Sequence, residues 1–147
     1  MRNFTKLVGV CIAIFMTNCA VAQDKVITFA ELPAKAQTFI KTHFDQKEVA
    51  SVYEDTEYMV QKEYSVYLND GTELEFFSNG DWEEVKTRTG QVPDKIIPSA
   101  ITQHIQKQFP STFVKEIKKK RYGYEVEISN GLDLEFNKNG KFLRIDD

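Results

Sequence analysis

Beyond residue 22 the sequence contains no cysteine, because Cys11 and Cys19 are the only two. That removes disulfides, thiolate metal sites and cysteine nucleophiles from the rest of the chain, so apolar burial has to hold the fold. Histidine is nearly as scarce, with His43 and His104 alone. No serine-histidine-acid signature and no glycine-rich phosphate loop is present. Positive charge is the minority sign: 19 basic against 22 acidic residues in the whole chain. Setting aside the first 22 residues leaves 17 against 22, a balance of −5, which argues against nucleic acid or an anionic membrane surface as partner. Long apolar runs are missing too. The one candidate, Leu7 to Met16, is too short to span a bilayer.

That run has another reading. Arg2 and Lys6 precede it and Ala20-Val21-Ala22 follows it, the charged, apolar and small-residue order of a secretory signal. The expectation is cleavage near Ala22 and a periplasmic or secreted product of roughly 125 residues, enough for one apolar core. Cys19 would be the lipid-bearing residue of a lipoprotein. Asn18, however, stands where a lipidation signal wants Gly, Ala or Ser, so plain cleavage is preferred.

What the chain does have is a phrase written twice. "NDGTELEFFSNGDWEEV" from Asn69 returns as "SNGLDLEFNKNGKFLRI" from Ser129, pairing Leu74-Glu75-Phe76 with Leu134-Glu135-Phe136 and Asn79-Gly80 with Asn139-Gly140. Upstream, Leu32-Pro33 pairs with Ile97-Pro98, Ile40 with Ile105 and Phe44 with Phe109, at a shift of 65 that becomes 60 from Tyr64 on. The difference falls between Tyr53 and Glu63, which suggests a longer hairpin loop in the first copy.

Each copy opens on a helical pattern: Leu32, Ala36, Phe39, Ile40 in one and Ile97, Ile101, Ile105, Phe109 in the other, with a proline suited to the helix start. Period-two strands follow, Tyr64-Val66-Leu68 and Leu74-Phe76, then Tyr124-Val126-Ile128 and Leu132-Leu134-Phe136. Asn-Gly and Asp-Gly pairs close the hairpins. The expected class is therefore α+β, a tandem of helix-plus-four-stranded antiparallel units with helices on one sheet face. Residues 1–22 would be the signal, 23–90 the first unit and 91–147 the second, together one compact domain.

The sheet face away from the helices is then the informative one. Parity assigns to it Ser65, Tyr67, Glu73, Glu75, Phe77, Trp82 and Glu84, and Glu125, Glu127, Asp133, Glu135, Phe142 and Arg144. The assignment of Trp82 and Phe142 assumes no bulge beside the Asn-Gly turns.

The pattern "LP…A…FI…F" followed by "Y.V.L.DGTELEF…G.W.EV", carried by Leu32-Pro33, Phe39-Ile40, Phe44 and Tyr64 to Trp82 and again by Ile97-Pro98, Ile105, Phe109-Pro110 and Tyr124 to Phe142, resembles the PepSY-like, beta-lactamase-inhibitor-like exported bacterial proteins. The resemblance implies a tandem of helix-plus-four-strand units whose sheets can join into one curved surface, as in the beta-lactamase inhibitor protein, whose concave face grips its target enzyme; whether the two sheets are continuous stays open. It supplies no catalytic residue.

Chemistry searched for directly is thin. The histidines are not equivalent positions, since His43 aligns with Gln108 and His104 with Phe39, so a shared metal or catalytic pair is not expected. Alternate acids on strands read as a solvated face rather than a glycosidase pair, which needs a buried cleft. The Asn/Gly turns lack the ligand series of a calcium loop. No catalytic residue, metal site or cofactor is expected. Tyr67, Phe77 and Trp82 are different, because large apolar residues on an uncovered face mark contact surfaces. Two alternatives compete: a partner copy or the second unit covers them, or a bulge turns Trp82 into the core. The expected function is an exported, non-enzymatic protein- or peptide-binding module, able to inhibit an envelope or secreted enzyme by occlusion. Its face would comprise Tyr67, Glu73, Glu75, Phe77, Trp82, Glu125, Glu127, Asp133, Glu135 and Phe142. A small-ligand or cation-binding envelope protein and a structural homodimer are the alternatives.

Overall fold

Proline at positions 33 and 98 starts two helices of the same length, α1 (Ala34–His43) and α2 (Ser99–Gln108). Each proline sits just ahead of the first helical residue, where its missing N–H costs nothing. The computed structural model describes residues 24–57 and 61–146. The expected signal, its cleavage near Ala22 and the question of Cys19 lie outside the described residues. So does the tip of the first long hairpin, residues 58–60.

The strands are β1 (Lys25–Val26), β2 (Val49–Glu57), β3 (Gln61–Leu68), β4 (Glu73–Phe77), β5 (Trp82–Lys86), β6 (Val114–Lys120), β7 (Gly123–Ile128), β8 (Asp133–Asn137) and β9 (Phe142–Asp146). All nine form one antiparallel sheet in chain order. This corrects the expected tandem of helix-plus-four-strand units. The protein is predominantly β, a single sheet carrying two helices, and not an α+β tandem. The join is β5 on β6, with Glu84 opposite Lys118, Val85 opposite Ile117 and Lys86 opposite Glu116. Matching phrases in a sequence report local elements. They do not report that the backbone edge left by β5 is closed by β6, which leaves β1 and β9 as the edges of the sheet among the described residues.

The expected loop between Tyr53 and Glu63 is also different. Pairing of β2 with β3 continues to Asp55 opposite Glu63, Thr56 opposite Lys62 and Glu57 opposite Gln61, so the extra residues lengthen a ribbon.

Alternation sends Val52, Val66, Leu74, Phe76, Val85, Ile117, Val126, Ile128, Leu134 and Phe136 to one face, where they are buried with Ala36 and Ile40 of α1 and Ile101 and Ile105 of α2. Aromatic contacts fasten the helices. Phe39 meets Phe76 edge-on at 5.6 Å and stacks on Trp82 at 6.1 Å. In α2 His104 takes the corresponding place, stacked on Phe142 at 4.6 Å and edge-on to Phe136 at 5.5 Å. The tight turns after β4 and β8 press on the helix starts. A Cβ on Gly80 would meet the Pro33 Cβ at 2.7 Å and one on Gly140 the Ala100 Cβ at 2.9 Å, and both glycines have positive φ.

The uncovered face of the sheet

The face opposite the helices is built from the other parity of every strand, and the register places its residues in rows running across the sheet. One row passes through Tyr53, Ser65, Glu75, Glu84, Lys118, Glu125, Glu135 and Arg144. The next passes through Ser51, Tyr67, Glu73, Lys86, Glu116, Glu127, Asp133 and Asp146. Neither helix reaches these side chains.

Of the residues expected here, Tyr67, Glu73, Glu75, Phe77, Glu125, Glu127, Asp133 and Glu135 do lie on this face. Trp82 and Phe142 do not. The register slips between Glu75 and Phe76, so Trp82 stands opposite the core residue Phe76, and the same slip sets Phe142 opposite Phe136. One extra residue in each strand, Glu83 and Leu143, turns the aromatic beside it under a helix. Trp82 is further capped by Lys119, whose Nζ lies 4.0 Å from the ring centroid. Burial holds the Lys119 amine below the usual lysine range, only partly offset by Asp81.

Sequence reasoning placed Arg144 on this face but missed the lysines and one aromatic. Lys118 bridges β5 and β4 by pairing with Glu84 and with Glu75, the latter at 3.4 Å. Lys86 pairs with Glu116 at 2.7 Å, Lys115 with Glu127 at 2.6 Å, Lys120 with Glu125 at 3.3 Å and Arg144 with Glu135 at 2.9 Å. Much of the acidity is thus met from within. Burial alone would lower the Lys118 pKa, but the hydrogen bond to Glu84 and the fields of Glu84 and Glu75 outweigh it and raise it. Asp133 has no ion-pair partner among the described residues. Its carboxyl is pushed up by burial and then by Glu127, Glu125, Glu116 and Asp146.

Tyr53, absent from the expected face, meets Tyr67 edge-on with ring centroids 5.9 Å apart and an interplanar angle of 80°. Its parity follows from Val52, which faces the core. The signal was present but read as loop. Tyr67 is 37% exposed. Its hydroxyl donates to Glu73 at 2.8 Å, and that bond, with some burial and the charges of Glu73 and Glu75, raises the phenol to about 12. Around the two rings lies a hollow of about 450 Å³ lined by Asp24, Ser51, Tyr53, Asp55, Ser65 and Tyr67.

At the β9 end, Glu125, Glu135 and Asp146 bring one oxygen each within 4.8 Å of one another. Arg144 already reaches two of them, Glu135 at 2.9 Å and Asp146 at 3.9 Å.

The family model described as "Putative beta-lactamase-inhibitor-like, PepSY-like" matches residues 62–144, from β3 to β9. The chain belongs to this PepSY-like family. Similar solved structures span nearly the whole described chain. One is described as a putative periplasmic protein from Bacteroides vulgatus ATCC 8482, 35% identical, covering 84% of this chain and 97% of that one, with a TM-score of 0.79. Another, described as a putative calcium-regulated periplasmic protein from Bacteroides thetaiotaomicron, is also 35% identical with the same coverage and a TM-score of 0.80. A third, a putative periplasmic protein of unknown function from Bacteroides vulgatus, is 34% identical, covers 85% of this chain and 100% of that one, and has a TM-score of 0.80. No curated protein matches the chain. Among the described residues of this PepSY-like protein, no helix is long and apolar enough to cross a membrane.

Proposed function

We propose that this PepSY-like chain is an exported, non-enzymatic binding module that holds a protein or peptide of basic character on the uncovered sheet face, and that inhibits by occlusion where that partner is an enzyme. The observation that carries the reading is the Tyr53–Tyr67 pair, two large rings set edge-on where no helix covers them. Fixed aromatic rings on an open surface are the residue type most enriched at binding hot spots. Acids outnumber bases on the same face even after the internal pairs are drawn, which favours a basic partner and fast, salt-sensitive association. Likeness to proteins described as periplasmic supports an envelope setting, as does the signal-like start. Trp82 and Phe142 drop out of the contact set, and Tyr53 enters it.

The test is affinity capture of envelope and secreted proteins on the native chain, beside a folded Tyr67→Ala, Glu75→Gln variant, at low and high salt. Retention lost in the variant and weakened by salt supports the reading. Equal retention by both rejects the open face.

A second reading has its own observation. Glu125, Glu135 and Asp146 converge closely enough to ligate a divalent cation, and a similar protein is described as calcium-regulated. Calcium would have to displace the Arg144 guanidinium, which makes the site a competitive one. Calorimetric titration decides it. Uptake that disappears in Glu135→Gln supports the cation reading, and no heat of binding removes it.

A further inference from the structure

The hollow beside Tyr53 and Tyr67 has a chemical peculiarity beyond its aromatic rings. Continuing the antiparallel register of Lys25 opposite Glu54 by one residue sets Asp24 opposite Asp55, and Asp55 in turn stands opposite Glu63. Three carboxylates therefore fall in one row across three neighbouring chain segments. Like charges directly opposite each other across strands destabilise a sheet. Elsewhere on this face, Asp133 aside, such crowding is met by Lys86, Lys115, Lys118, Lys120 and Arg144. Here it is not, since among the described residues none of Asp24, Asp55 and Glu63 has an ion-pair partner. Lys62, on β3 beside Glu63, pairs at 3.1 Å with Glu54, whose parity is that of the helix side.

Packing gives no reason for this arrangement, whereas a cationic group set among the carboxylates would relieve their repulsion. The floor of the hollow carries the small hydroxyls of Ser51 and Ser65, leaving about 450 Å³ open. The two phenol rings that line it stand nearly perpendicular to each other, at 80°. A cationic head within about 6 Å of a ring centroid is attracted by the ring quadrupole, and flanking carboxylates add charge-assisted hydrogen bonds. The raised Tyr67 phenol stays neutral and keeps its O–H donated to Glu73, so the ring is held in place rather than rotating freely.

We propose that this hollow receives a lysine or arginine side chain of the bound protein or peptide. The proposal rests on the open-face reading and names the group that reading leaves unspecified. The test is an NMR titration of the full chain with acetylated, amidated Gly-Arg-Gly, Gly-Lys-Gly and Gly-norleucine-Gly. The arginine or lysine peptide is expected to give saturable shifts at Ser51, Tyr53, Ser65 and Tyr67, with no saturable response to norleucine. Asp55→Asn and Tyr53→Leu should each weaken that binding about threefold, the scale of an exposed cation–π contact. A norleucine response equal to the cationic ones, shifts centred instead on Glu127 and Asp133, or no saturation overturns the proposal. The two readings separate cleanly. A captured partner that still binds the Asp55→Asn variant at full strength but is lost by the Tyr67→Ala, Glu75→Gln variant leaves the open face standing and removes the hollow.

Discussion

Lys118→Met strikes the join between β5 and β6, where the structure most depends on a charge. The lysine amine lies between Glu84 and Glu75, and Glu84 is buried at 7% exposure. Without the amine, the Glu84 carboxylate keeps its desolvation and loses its counter-ion, with Glu75 opposite it and Glu116 close by. Breaking a fully buried pair by removing one partner costs about 3–5 kcal/mol. The Lys118 side chain is 27% exposed, so water enters the gap. Discounting for that screening gives about 2 kcal/mol, or a urea midpoint lowered by about 1 M for a chain of this size. Trp82, the only tryptophan and stacked on Phe39, reports unfolding directly by its fluorescence. The second arm is Glu84→Gln and the double variant. Because the charge left behind is the source of the cost, the double variant should recover about 1 kcal/mol relative to the sum of the singles. The raised Lys118 pKa sets the pH window. Its contribution is complete below the unfolded lysine value of about 10.4 and is lost as pH rises through the higher folded value. The deficit of Lys118→Met should therefore be constant through neutral pH and shrink only in strong alkali. A cost under about 0.5 kcal/mol, or strict additivity with Glu84→Gln, would refute the reasoning.

Other expectations are quickly checked. Gly123→Ala should be the most damaging single-methyl change in the sheet, by about 3 kcal/mol or more in urea unfolding, because its Cβ would lie 2.1 Å from the Phe136 carbonyl oxygen. Ultraviolet titration should find one tyrosine ionising near 12, and Glu73→Gln should bring it back toward an ordinary phenol value. Asp133→Asn should raise the melting temperature by about 1–2 °C at pH 7. A raised carboxyl favours the fold below the unfolded value and disfavours it as pH climbs through the folded one, so the gain should vanish below about pH 4.

How much was legible in the sequence follows from which signals are local. Period two separated Val66 from Tyr67 and Leu74 from Glu75, so eight of the ten expected contact residues lie on the uncovered face. Parity carries through a strand only while pairing is one to one. At Glu83 and Leu143 one residue is extra, and Trp82 and Phe142 changed sides with nothing in residue type to announce it. Tyr53 was hidden differently, by treating a ribbon of paired strands as a loop. The single sheet was illegible for a third reason: pairing of β5 with β6 spans residues far apart in sequence, and its only written trace is the alternation of Lys118 and Lys120 with Ile117, which reads equally well as an exposed edge.

The most direct measurement is an amide NMR map of the native chain with and without a partner recovered by capture. Perturbation concentrated at Tyr53, Ser65, Tyr67, Glu75 and their neighbours across the open rows, with α1 and α2 undisturbed, is the result expected of a module that binds through its uncovered face. Perturbation centred on the exposed sides of α1 and α2, with Tyr53 and Tyr67 silent, would contradict it.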